Sequence, residues 1–239
     1  MTKAQPLIVR CCPKEKESEM IWICYAIMLL VPYLMGGINT SIIVTKIKTG
    51  KDIRTMGSHN AGLTNTLRAV GKKAALVVLI GDASKAAISL LLVRLAFFYI
   101  GGVDTTNPAL GMSWVEVLAV FMAIVGHCFP VYYRFKGGKG VLAAISAIFV
   151  LDWRIGLVLI GIFAVVVAIT RYVSLGSCIS SAIFCIAMFC FDFFIDHDPA
   201  FIINTFLAAF CGGLIIVRHK ENIKRLASHC EKKLGEKAK

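Results

Sequence analysis

VLAAISAIFVLDWRIGLVLIGIFAVVVAIT, residues 141–170, is apolar at both ends and interrupted by Asp152 and Arg154 in the middle. Read as one helix, the stretch buries an acid and a base near the centre of a hydrocarbon layer, which is expensive. Read as a tight hairpin of two short helices, it delivers both charges to a surface. The hairpin reading decides the fold, because it adds one crossing and so sets the side on which every later loop lies.

Working outward from the hairpin, apolar runs recur along the chain. Residues 21–44, 73–100, 114–131, 174–191 and 200–217 approach the ~20 residues a helix needs to cross a bilayer. Together with the hairpin they predict an all-α integral membrane protein of seven transmembrane helices. Pro32, Gly36 and Gly37 fall inside the first run and predict a kink there. Of the 239 residues, 58% are hydrophobic and 17% charged, more apolar surface than a water-soluble domain of this length can hide.

Charge placement agrees with seven crossings. One side receives the 45–73 and 132–140 loops, Arg171 and the tail after residue 217, which together hold nineteen Lys and Arg. The other side receives the 101–113, 152–154 and 192–199 loops, with Arg154 as their only base and Asp104, Asp152, Asp192, Asp196 and Asp198 as acids. The basic side is cytoplasmic by the positive-inside rule, with the C-terminus inside and the N-terminus outside. The same distribution removes nucleic acid as a partner: the net charge of +12 is spread over short inter-helix loops and not over a soluble face. Residues 1–20 are polar and carry no signal-peptide core, so they are read as a flexible extension. Residues 21–217 form the membrane domain and 218–239 a basic amphipathic tail.

Of the nine cysteines, Cys24, Cys178, Cys185, Cys190 and Cys211 lie in apolar runs, where a thiol packs as a small hydrophobe. Cys11 and Cys12 have no CxxC partner, and no metal-ligand spacing occurs. Neither a metal nor a cofactor is expected.

Four polar patches fall on the predicted cytoplasmic side. "GSHNAGLTNTLR" (57–68) offers turning glycines at Gly57 and Gly62 and small donors in Ser58, Asn60, Thr64 and Asn65. Such a concavity binds anions, and Arg68 adds a planar cationic fork suited to phosphate. The plainer reading is a glycine turn with Thr64 or Asn65 capping a helix. "FKGGKG" (135–140) places Lys136 and Lys139 around Gly137 and Gly138, with Gly140 following. It is either a phosphate cradle or a basic surface turn, and it is not the nucleotide-binding GxxxxGK[ST] pattern. Ser174 opens the sixth run and is either a site residue or an N-cap. His219 and Asn222 share a helix face where the last run meets the cytosol, as site residues or as an interface anchor. Glu221 and Arg225 are four apart and expected to pair. In the second run Asp82 and Lys85 are three apart, read as an intrahelical pair, and Arg94 is read as snorkelling to the outer surface. His127 is an interface residue or a supporting donor.

These patches, in this order and spacing, resemble the bacterial acyl-phosphate:glycerol-3-phosphate acyltransferase family, PlsY. The family's first motif, G-S-G-N-x-G-A-T-N-x-x-R, is met by Gly57, Ser58, Asn60, Gly62, Thr64, Asn65 and Arg68. Its second, G-H-x-x-P-x-x-x-x-F-K-G-G-K-G-V, stands intact from Gly126 to Val141. Its third is met by Ser174, Leu175 and Ser177, then Arg218, His219, Asn222, Ile223, Arg225 and Leu226, with Glu231 at a tail glutamate. Asp82 and Lys85 match a D-x-x-K. His59 departs from a glycine inside the site, and Leu63, Gly37 and His229 depart outside it.

The resemblance implies transfer of a fatty acyl group from acyl phosphate to glycerol 3-phosphate, giving lysophosphatidic acid, in a bacterial plasma membrane with the site on the cytoplasmic face. It implies membrane lipid and the acyl-phosphate-producing enzyme as neighbours. On that basis Ser58, Arg68, His219 and Asn222 are assigned to catalysis. Asn60, Gly62, Thr64, Asn65, Lys136, Gly137, Gly138, Lys139, Gly140 and Ser174 are assigned to substrate binding, with the amides of Gly137 and Gly138 approaching glycerol 3-phosphate. The competing class is a transporter of an organic phosphate, although transporter sites lie nearer the midplane. An acyl-CoA enzyme with an HxxxxD dyad is a further alternative, but no histidine here has an Asp five positions later.

Overall fold

A computed structural model of the protein describes residues 15–236. Among them the chain is helical throughout: α1 (Glu15–Gly37), α2 (Thr40–Thr49), α3 (Leu63–Ala69), α4 (Lys72–Tyr99), α5 (Trp114–Cys128), α6 (Val141–Leu151), α7 (Trp153–Thr170), α8 (Val173–Phe194), α9 (Phe201–Arg218) and α10 (Lys220–Ala227), with single 3-10 turns in three loops. The expected extension over residues 1–20 falls partly outside the described residues, as do Cys11 and Cys12. Its last six positions, 15–20, belong to α1.

The 141–170 stretch is a hairpin. Asp152 takes an extended backbone, φ −149°, which ends α6. Its carboxylate accepts from the Arg154 amide at 2.7 Å and so caps α7. Arg154 then bridges Asp152 and Asp196, both at 2.6 Å. Among the described residues, six helical segments are long and apolar enough to cross a membrane. The eleven residues of α6 span only ~16 Å at 1.5 Å per residue, about half a hydrocarbon core.

The first predicted run breaks where its polar partners wait. Pro32 sits inside α1 without ending it, and the break comes at Ile38–Asn39. Asn39 caps α2 by accepting from the Ile42 amide at 3.1 Å. Lys85 and Asp82 do pair, at 2.9 Å. Lys85 also donates to the Ile38 carbonyl at 2.6 Å, and Asp82 accepts from the Thr40 amide at 3.3 Å. The charged pair of α4 thus satisfies backbone groups that a helix break leaves open inside an apolar layer.

Packing follows a simple order. α1 and α4 pack on each other and on α5, and α4 also covers α6. From α5 onward each helix packs on the next, and α9 closes back on α5, giving a ring of five around a central space. Close approaches use glycine: a Cβ at Gly126 would lie 2.1 Å from the Tyr33 carbonyl oxygen, and one at Gly212 would lie 2.1 Å from that of Ser181.

Candidate active site

The first loop is organised by a residue read in the sequence as a donor or cap. Asn65 is 2% exposed. Its side-chain oxygen accepts from the Ser58 amide at 2.9 Å, and its amide nitrogen reaches the carbonyls of Met56 at 2.9 Å and Asn60 at 3.0 Å. It is the post around which the loop wraps. Neither Thr64 nor Asn65 caps α3, whose N-cap is Gly62. Gly57 (φ 55°) and His59 (φ 58°) both lie in the left-handed region, which is why the loop is concave. Histidine meets the backbone angle expected of the family's glycine, and its Nδ1 lies 3.0 Å from the Arg54 carbonyl oxygen.

The second loop is locked to the first. Arg54, gripped by Asp52, donates to the carbonyls of Tyr133 at 3.2 Å and Lys136 at 2.9 Å. The amides of Gly137 and Gly138 donate to the carbonyls of Cys128 and His127, each at 3.1 Å. Their carbonyls accept from Arg218, at 3.3 and 3.1 Å. A Cβ at Gly137 would lie 2.1 Å from the His127 carbonyl oxygen, and one at Gly138 would lie 2.3 Å from that of Ala61. The amides expected to approach glycerol 3-phosphate are thus bonded inside the protein, where two loops and α5 meet closely. Lys136 is exposed and stands outside the cavity, whereas Lys139 and Gly140 (φ 84°) line it.

The tail closes the third side. Lys139 Nζ donates to Asn222 Oδ1. Asn222 donates to Glu231 Oε1 at 2.6 Å, Ser174 donates to the same oxygen at 2.8 Å, and Arg225 Nε donates to Oε2 at 2.7 Å. Arg225 therefore pairs with Glu231, while Glu221 takes Lys224. The expected Glu221–Arg225 pair is absent, because the chain after α10 folds back. Ser174 is likewise not the cap of α8, whose N-cap is Tyr172. Beyond Glu231 the tail runs as a strap. Arg68 donates to the Lys233 carbonyl at 3.3 Å, and the Leu234 amide donates to the Arg171 carbonyl at 2.7 Å.

Burial tunes these groups. It lowers Lys139 to about 8, with Glu231 opposing the shift. It lowers His219 to about 4, with the Lys139 charge adding to the effect, so the imidazole is neutral near pH 7. His219 Nδ1 lies 2.8 Å from the Ile215 carbonyl oxygen. A carbonyl only accepts, so Nδ1 carries the proton and Nε2 keeps its lone pair. Burial pushes Glu231 up, but hydrogen bonds from Arg225, Asn222 and Ser174 outweigh it and hold the carboxyl below its usual value.

These elements enclose a cavity of about 570 Å3, within the range of ligand sites. Its mouth is lined by Ser58, Asn60, Gly62, Thr64, Asn65, Arg68, Lys139, Gly140, Ser174, His219 and Asn222, all named from the sequence. Lys136, Gly137 and Gly138 are not brought there. Glu231 and Arg225 are, although neither was assigned a site role; the third motif for Arg225 and the tail position for Glu231 were the hints. Asp82 and His127 form the wall beneath the mouth, with Lys85 3.1 Å from His127 Nδ1. Below that level the cavity turns apolar, between α6, α7, α8 and α9. Arg94 reaches the outer end of the bundle, beside Asp152 and Arg154. It donates to Glu116 at 2.8 Å on the opposite side of the bundle.

A cationic mouth above an apolar pocket is a site for an amphiphile with an anionic head. The known proteins that resemble the chain agree with that geometry. A family model described as glycerol-3-phosphate acyltransferase matches residues 26–229. A glycerol-3-phosphate acyltransferase of Clostridioides difficile is 38% identical over 216 residues, 89% of this chain and 97% of that one. Another, of Acaryochloris marina, is 38% identical over 223 residues, 91% of this chain and 96% of that one. Among solved structures, the glycerol 3-phosphate form of PlsY, an integral membrane glycerol 3-phosphate acyltransferase, superposes with a TM-score of 0.72 at 33% identity, over 88% of this chain and 96% of that one. Its lysophosphatidic acid form superposes at 0.69 and 31% identity, over 88% and 95%. With nearly the whole of its helical body matched in sequence and in fold, the chain belongs to the PlsY family of integral membrane glycerol-3-phosphate acyltransferases.

Proposed function

We propose that the protein transfers a fatty acyl group from acyl phosphate to the sn-1 hydroxyl of glycerol 3-phosphate, forming lysophosphatidic acid and inorganic phosphate in the first step of phospholipid synthesis. The observation that carries this reading is a cavity whose mouth is cationic and whose depth is apolar. The bond that breaks joins the acyl carbon to a phosphate oxygen, and the bond that forms is the glycerol ester. The leaving group is already good, so the work is positioning and charge neutralisation.

In this reading Arg68 and Lys139 neutralise phosphate oxygens, and Ser58, Asn60 and Thr64 donate from the concave first loop. His219 presents the unprotonated Nε2 to the attacking hydroxyl. A substrate phosphate oxygen is the other acceptor available for that proton. Asn222 and Ser174 act with Glu231, which sets their orientation. Gly137 and Gly138 serve as framework, and Lys136 adds only to the field outside the mouth. The transporter alternative loses support here, because Asp82 and Lys85, the charges that lie deep, satisfy each other and the α1–α2 break.

The one-sided basic loops support seven crossings, with a cytoplasmic mouth in the bacterial inner membrane and the N-terminus outside. An acyl-phosphate-producing enzyme would then work at the same face. Purified protein supplied with labelled glycerol 3-phosphate should form product from palmitoyl phosphate and little or none from palmitoyl-CoA or acyl carrier protein. Equal rates from the thioesters would overturn the donor assignment. Lys136→Cys, made in a variant whose native cysteines are replaced by serine or alanine, should resist an impermeant maleimide applied outside intact cells, and efficient labelling would reverse the orientation.

A further inference from the structure

The apolar part of the cavity has an end, and the residues that make it are placed like a stop. Ser174, Ser177, Ser181 and Phe184 all line the cavity from α8. Their spacings of three, four and three put them on one helix face. Three of the smallest side chains are therefore followed, one turn deeper, by one of the largest. The Ser177 hydroxyl donates to the Val173 carbonyl at 2.9 Å, so its proton needs no other partner.

On the other three helices the lining runs as far as Ile148 on α6, Leu159 on α7, whose carbonyl accepts from Ser180 at 3.2 Å, and Cys211 on α9. All are buried, with exposures of 3%, 3% and 0%, and Phe184 is 2% exposed. The gap between α8 and α9 is shut near the same depth, where Gly212 meets the Ser181 backbone. Phe184 lies ten residues below Ser174, a descent of ~15 Å at 1.5 Å per residue. A bilayer core is ~30 Å thick, so the pocket stops about halfway through instead of running across.

We propose that Phe184 is the specificity-determining floor of the acyl pocket and sets the longest acyl chain that the enzyme takes without distortion. The inference rests on the acyl-transfer reading above and adds to it the residue that measures the chain. Chains that end above the ring gain burial with every added methylene, about fourfold each. Chains that pass it must bend or leave a methyl end outside. Phe184→Ala lowers the floor, and Ser181→Leu raises it by three residues, or ~4.5 Å.

The test is competition among saturated acyl phosphates of twelve, fourteen, sixteen and eighteen carbons, with labelled glycerol 3-phosphate and purified protein, read as relative kcat/KM. Phe184→Ala should raise the ratio of the eighteen-carbon to the twelve-carbon donor about tenfold, and Ser181→Leu should lower it by a similar factor. KM for glycerol 3-phosphate should stay within about twofold in both, since neither side chain reaches the mouth. Phe184→Leu, a milder cavity, should shift the ratio in the same direction by about threefold and covers the case in which the alanine variant does not fold. Chain-length profiles that superimpose on the parent's in the folded variants would overturn the floor while leaving the acyl-transfer reading intact. A parent protein that transfers from no acyl phosphate would instead sink that reading, and the floor with it.

Discussion

The two ends of the helical bundle use their charged side chains differently. At the end away from the cavity, both bases are closed on carboxylates. Arg94 binds Glu116, which also takes the Thr105 hydroxyl at 2.6 Å, and Arg154 is shared between Asp152 and Asp196. At the cavity end, Arg225 pairs with Glu231 and Lys139 reaches that carboxylate through Asn222, while Arg68 and Arg218 donate only to backbone carbonyls. A base held by buried or half-buried carboxylates ties one turn to the next. Cationic excess around a cavity is what an anionic ligand neutralises.

The comparison breaks most visibly if the matched end is unmatched. Arg94→Ala leaves Glu116, 2% exposed, without its counter-charge. Removing one partner of a buried pair costs about 3–5 kcal/mol. The detergent-solubilised protein should melt well below the parent, while turnover per folded molecule is unchanged. Recovery of stability in Arg94→Met/Glu116→Leu would confirm that the pair is structural; selective loss of turnover would contradict the contrast.

At the cavity end the same kind of truncation should do the opposite. Arg68→Ala is expected to cut kcat/KM on the order of 10²–10³-fold, the scale of losing one donor to a developing charge, with the melting temperature held within a few degrees. Arg68→Lys should recover only part, because the fork is lost. Full activity in Arg68→Ala would remove it from the site.

Gly138→Ala separates framework from site. The added methyl meets the Ala61 carbonyl oxygen and the His127 ring, both at 2.3 Å. The expected result is a stability loss of about 1–3 kcal/mol from overpacking, with KM for glycerol 3-phosphate little changed in whatever remains folded. A large KM effect at unchanged stability would restore the phosphate-cradle reading of these glycines.

A smaller effect is electrostatic. Burial lowers Lys139 to about 8, so its cation is present below that pH and lost above it. KM for glycerol 3-phosphate should rise as pH passes through about 8, and Lys139→Arg should abolish that limb because guanidinium stays charged. His219, already neutral near pH 7, should contribute no limb between pH 6 and 8. The smallest change is His59→Gly. It relieves a left-handed histidine, loses the contact with Arg54 and frees the backbone, terms of about 1 kcal/mol or less that oppose each other. Activity and melting temperature should both stay close to the parent's.

Much of this molecule was legible from the order of residues. Long apolar runs and the acid–base interruption at 152–154 specify helices and their hairpin, because a lipid layer allows the backbone no other partner than itself. The first loop, Lys139, Ser174, His219 and Asn222 were readable because small polar residues and fixed charge have little other use at a membrane face. The break at Ile38–Asn39 was harder to place, since Pro32 is the stronger local signal. Its position is fixed by Lys85 and Asp82, some forty residues away.

What only the tertiary structure decided is the use each polar atom finds. Sequence names donors and acceptors, but a hydrogen bond is a relation between two places. The amides of Gly137 and Gly138 looked free until Cys128 and His127 came within 3.1 Å of them. Arg225 looked committed to Glu221 four residues before it, until the tail folded back and brought Glu231 closer. The chain determined by itself that a cationic, glycine-rich face would exist on a bundle of apolar helices. Packing determined which of those groups are spent holding the loops together and which remain to face the cavity, because that depends on distances no local pattern encodes.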